Sequence, residues 1–115
     1  MELKDIKSPR DIKGLTIEEL KQLAVQMRHA ILYRTSSVGG HVGPNLGAVE
    51  AMTAMHYVFD APHDKIVIDV SHQDFPHKML TGRAYGFLSP EGFAKIGEYT
   101  EPSESPEYDL FYAGH

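Results

Sequence analysis

Helices flanking a parallel β-sheet, an α/β architecture, are what this 115-residue chain predicts. Three observations carry that expectation. Apolar residues recur at helical spacing over residues 17–33. Lys65-Ile66-Val67-Ile68-Asp69-Val70 is β-branched and nearly continuously apolar, the pattern of a strand covered on both faces. Ser71-His72 follows that run directly, and in open parallel sheets the ligand crevice lies outside the carboxyl ends of the strands.

The first element begins at Thr16, whose hydroxyl is placed to cap Glu19 while the Glu19 carboxylate reaches back, with Leu15 and Leu20 spaced as a hydrophobic staple. Leu20, Leu23, Ala24, Met27 and Ile31 then predict an amphipathic helix to about residue 33. Ser36, Ser37, Gly39 and Gly40 are expected to stop it. Asn45 reads as the N-cap of a second helix over residues 46–59, apolar on most of its circumference and so expected to be buried on more than one side.

Asp60-Ala61-Pro62-His63-Asp64 predicts a turn into the strand at residues 65–70. Pro76 suits the first turn of a short helix ending near Gly82, and Ser89-Pro90-Glu91 opens another through Ile96, with Gly97 closing it. Residues 97–106, rich in Glu, Ser and Pro, predict an exposed, mobile loop, and Tyr108-Asp109-Leu110-Phe111-Tyr112 a second strand. Two strands do not complete a sheet, so the chain is expected to be one incomplete domain, a segment of a longer enzyme or a piece that completes its sheet with another chain.

Sixteen acidic residues against eleven basic ones, a formal charge of −5 and no basic stripe argue against a nucleic-acid partner. Cysteine is absent, which excludes disulfides and thiolate catalysis and suits a reducing cytoplasm. No apolar run approaches the ~20 residues that span a bilayer. The chemistry concentrates in two loops, Gly39-Gly40-His41-Val42-Gly43-Pro44-Asn45-Leu46-Gly47 and Ser71-His72-Gln73-Asp74-Phe75-Pro76-His77-Lys78. Glycine lets the backbone approach a ligand, and imidazole exchanges protons near neutral pH.

His41 and His72 are therefore the candidate catalytic residues. His29, His56, His63 and His77 sit on expected helix faces or in a turn, where local hydrogen bonding suffices. A metal site from His41, His72, His77 and His115 is conceivable, but the spacing matches no standard ligand pattern. The glycine loop follows a helix and not a strand, so it fails the context of a dinucleotide fingerprint.

Residues 39–50, Met55-His56-Tyr57-Val58-Phe59, the block from His72 to Arg83, and Ser105-Pro106-Glu107-Tyr108-Asp109, in this order and spacing, resemble the amino-terminal part of the 1-deoxy-D-xylulose-5-phosphate synthase family. The resemblance covers about residues 8–115. It implies a partial thiamine-diphosphate-binding domain of transketolase type, in a cytoplasmic, homodimeric transferase. Such an enzyme condenses pyruvate with glyceraldehyde 3-phosphate, releases carbon dioxide, and feeds isoprenoid, thiamine and pyridoxal synthesis. On this resemblance His41 handles protons at the reacting carbons and His72 borders the cofactor. Gly114 and His115 lie against the cofactor, and the magnesium ligands fall beyond residue 115. The chain departs from the family pattern at Pro44, Ser71 and Asp74 and over residues 84–104. The same residues would also suit a noncatalytic interaction or regulatory module derived from that fold.

Overall fold

The computed structural model describes residues 1–68 and 72–110. Helix α1, Ile17–Val38, begins where the capping box placed it: the Thr16 hydroxyl accepts from the Glu19 amide (3.1 Å) and Glu19 Oε1 accepts from the Thr16 amide (2.9 Å). Leu23, Ala24, Met27 and Ile31 are buried as expected. The helix runs five residues past its expected end. Thr35, Ser36 and Ser37 do not break it because their hydroxyls donate back to the carbonyls of Ile31 and Tyr33. Gly39 ends it, at φ +82°, a conformation that costs a residue with a side chain about 1 kcal/mol or more.

The expected second helix is two: α2, Gly43–Gly47, and α3, Val49–Val58, joined at Ala48. Val49 and Met52 are buried, whereas Ala54 and Met55 are exposed, so α3 is covered on one side and not several. Its open side lines a groove with α1, spanned by the Arg28–Glu50 ion pair. The Lys13 ammonium closes the carboxyl end of α3, donating to the carbonyls of His56 (2.9 Å), Tyr57 (3.1 Å) and Phe59 (2.7 Å). A cation there satisfies orphan carbonyls and complements the helix dipole.

Beyond the turn at residues 60–64 the expected parallel sheet is not formed among the described residues, which contain no strand. Residues 65–68 have no regular secondary structure, with Ile66 and Ile68 buried and Val67 55% exposed. A strand covered on both faces needs paired neighbours and a second covering layer. The described part of the chain presents only one apolar layer to this segment, so alternate residues are buried. The second expected strand, over residues 108–112, is irregular at 108–110, and its remainder lies outside the described residues.

Helix α4, Phe75–Lys78, carries Pro76 in its first turn and passes into a wide turn, Met79–Arg83, and a 3₁₀ turn, Ala84–Phe87. Helix α5, Pro90–Phe93, is capped by Ser89 as expected but stops at Phe93, short of Ile96. Arg34 of α1 binds this region through the carbonyls of Gly86 (3.0 Å) and Ile96 (2.6 Å), its guanidinium resting beside the rings of Phe75 and Phe87. Residues 97–106 are not the exposed loop their composition predicts. Thr100 is buried, the Glu104 carboxylate turns inward to buried Lys78 and Arg83, and that of Glu98 binds the half-buried His41.

The core joins Leu23, Met27 and Ile31 of α1 and Val49 and Met52 of α3 to Phe75, Met79, Leu80 and Phe87. Ile6 and Ile12, from the amino-terminal segment, close its edge. No described helix is long and apolar enough to cross a membrane.

Candidate functional site

The end of α1 delivers His41, and the loop before α4 delivers His72. Although 31 residues apart in sequence, their rings stack at 4.0 Å between centroids and 11° between planes. Tyr99 lies against both, at 5.4 Å from His72 and 6.3 Å from His41. The two candidate catalytic histidines thus come together in one place, although the strand expected to deliver His72 is not formed among the described residues. The His41 side chain is 41% exposed, which leaves the ring open to a ligand.

Two residues build this arrangement, Glu98 without a sequence signal and Asn45 with only that of a helix cap. Glu98 reaches His41 from 57 positions away: one carboxylate oxygen, Oε1, accepts from the His41 amide (2.8 Å) and meets its Nδ1 (2.5 Å). Burial works to raise the Glu98 carboxyl, but hydrogen bonds from the His41 ring and backbone outweigh it and hold it below the ordinary range. Asn45 is inside α2 and not at its cap. Its fully buried amide donates to the His41 carbonyl (2.5 Å) and accepts from the Phe75 amide (2.9 Å). Asn45 therefore caps α4 from another helix and ties the His41 loop to the loop carrying His72.

Behind the pair lies a buried charge network. The Asp109 carboxylate accepts from both terminal nitrogens of Arg83 (2.8 Å each), from Nε2 of His77 (3.1 Å) and from the Glu101 amide (2.9 Å). Lys78, with no exposed surface, bonds the Gly97 carbonyl (2.6 Å) and Glu104 (2.9 Å), which also pairs with Arg83 (3.1 Å). Burial lowers the Lys78 ammonium, against the pull of Glu104. Burial also drives His56 down to about 3, so its ring is neutral. His56 Nε2 and His77 Nδ1 share a ring-to-ring hydrogen bond (2.9 Å), and His56 Nδ1 has no hydrogen-bond partner. Both histidines are buried within this network.

Asp74, at the base of the His72 loop, has no exposed surface. Thr100 donates to its Oδ1 (3.3 Å), while Oδ2 has no partner. Burial pushes its carboxyl up to about 6, against the nearby cationic groups.

Gly114 and His115, expected against the cofactor, lie outside the described residues. Among the described residues no group of three or more His, Asp or Glu side chains converges as a metal site would require.

A family model described as 1-deoxy-D-xylulose-5-phosphate synthase matches residues 3–115. The 1-deoxy-D-xylulose-5-phosphate synthase of Dictyoglomus turgidum is 50% identical over 115 residues, covering 100% of this chain and 18% of that protein. The enzymes of the same name from Dictyoglomus thermophilum and Symbiobacterium thermophilum are 49% and 47% identical, each over 100% of this chain and 18% of their own length. The chain thus spans less than a fifth of the curated relatives it matches.

Proposed function

The chain belongs to the 1-deoxy-D-xylulose-5-phosphate synthase family, and from that membership we propose that residues 1–115 are an incomplete amino-terminal segment of a thiamine-diphosphate-binding domain. In this reading it contributes His41 and His72 to the condensation of pyruvate with glyceraldehyde 3-phosphate. The observation that carries the reading is the stacked His41–His72 pair at 4.0 Å, with His41 partly open to solvent.

The donor set fits such a site. Two stacked imidazoles, that of His41 partly exposed, can each offer a ring nitrogen to an oxygen; in this reading His41 serves the substrate's carbon-bound oxygens and His72 borders the cofactor. Thiamine diphosphate, when bound, supplies the carbanion chemistry. This chain's residues then hold and move protons: His41 exchanges a proton with a substrate oxygen, and His72 hydrogen-bonds an adjacent oxygen and keeps it in place. Tyr99 lays its ring near both. The magnesium ion, Gly114 and His115 as cofactor contacts, the two substrates and a homodimeric assembly belong to the same proposal.

The test is a chimera in which this chain replaces the matching segment of the Dictyoglomus turgidum synthase, assayed for 1-deoxy-D-xylulose 5-phosphate. Product formation at a rate near that of the parent enzyme is expected. A chimera that folds and takes up cofactor yet forms no product would overturn the reading in favour of a noncatalytic module.

A further inference from the structure

Glu98 stands in a stretch whose composition marks a solvated loop, yet its carboxylate is drawn inward and spends one oxygen on a single residue. Oε1 receives the His41 backbone N–H and meets the ring at Nδ1, so it fixes the loop and the ring torsion together. Position 40 carries no side chain, which leaves the carboxylate room to lie close against the loop. A Cβ on Gly40 would come within 3.3 Å of Glu98 Oε1, and Gly40 itself sits at φ +127°. The carboxylate and the glycine form one device: the bare backbone admits the acid, and the acid seizes the histidine beside it.

We infer that Glu98 is the positioning residue of His41, holding it in the Nδ1–H form so that Nε2 is the nitrogen offered to substrate. This rests on the reading of His41 as the proton-handling group. A carboxylate on the far nitrogen of a catalytic imidazole sets its tautomer and orientation and stabilises the cation formed when Nε2 takes a proton. The anchor is itself secured. Two positions on, Thr100 donates to buried Asp74 (3.3 Å), and one position back, the Gly97 carbonyl accepts from Lys78 (2.6 Å). Glu98 therefore hangs between two fixed points and is not free to swing away.

The proposal is tested by long-range proton–nitrogen NMR of the ¹⁵N-labelled 115-residue chain at alkaline pH, where imidazoles are uncharged and their tautomers are read from the ring nitrogens. The expected result is His41 with a protonated Nδ1 and a bare Nε2, the reverse of the form histidine favours in water. Glu98→Ala should turn the Nδ1–H form from the dominant species into a minority. Glu98→Gln, whose amide oxygen still accepts, should retain it. His41 found as the Nε2–H tautomer in the unaltered chain would overturn the proposal with no variant needed, as would a Glu98→Ala spectrum unchanged at His41. An inactive chimera in the preceding test would remove the catalytic reading and leave the His41 tautomer as it is. The wrong tautomer would remove Glu98's role and leave the histidine pair standing.

Discussion

Replacing Asp109 by alanine is expected to remove about 3–5 kcal/mol of folding stability, the cost of stripping one partner from a buried ion pair. Asp109 is 1% exposed and accepts four hydrogen bonds, two of them from Arg83, itself 4% exposed. Without it a buried guanidinium keeps only Glu104 and the Thr81 hydroxyl. Domains of this size are stable by about 5–15 kcal/mol, so the urea midpoint should fall by a large fraction of its value. The same carboxylate makes the fold acid-sensitive. Burial alone would raise it, but the hydrogen bonds from Arg83 and His77 dominate and hold it far below the ordinary range. A group depressed in the folded state adds stability above its unfolded value, about 4, and that stability drains away as the pH falls below it. Asp109→Asn should flatten this acid limb, and an unchanged limb would contradict the account.

Asp74 acts in the opposite direction. Its folded carboxyl titrates at about 6, pushed there by burial, against about 4 in the unfolded chain. A raised carboxyl favours the protonated form in the fold. Its contribution is therefore fully present below pH 4, is lost as the pH rises from about 4 to about 6, and stays lost above. The free energy lost across that interval is about 3 kcal/mol. Asp74→Asn should remove that slope, so that the variant overtakes the unaltered chain as the pH rises. The gain at neutral pH is reduced by the amide nitrogen that takes the place of the unpartnered Oδ2. Urea unfolding of both proteins across this range reads the difference directly, and parallel curves would show that Asp74 carries no buried charge.

What the sequence disclosed follows from how local each signal is. The capping box at Thr16 and Glu19, the proline at position 76 and the Ser89 cap involve residues three or four apart, and all three appear where expected. The two histidine loops were legible because glycine and histidine carry their chemistry in their own atoms. The sheet was not, since Ile66-Val67-Ile68 suits an irregular segment buried on one face as well as a strand buried on two, and the choice rests with neighbours elsewhere in the chain. Glu98, Asn45 and Asp109 act across 57, 30 and 26 positions, where no periodicity reaches. One hint was present. Lys78 and Arg83 flank the apolar pair Met79-Leu80 in a segment that the core must bury, and buried cations demand carboxylates, which the acidic stretch 98–109 supplies.

The claim that the two loops form a single site is tested most directly in the chimera with the Dictyoglomus turgidum synthase, by comparing His41→Gln, His72→Gln and the double variant. The His41 change should lower kcat by about 10²–10⁴, the usual worth of a positioned proton-transfer group, and the His72 change should lower it as well through the lost hydrogen bond. The double variant should be little slower than the worse single one, because groups that work as a unit lose their effect together. A double loss equal to the product of the two single losses, or single variants that keep the full rate, would show that the stacked pair is not one catalytic unit.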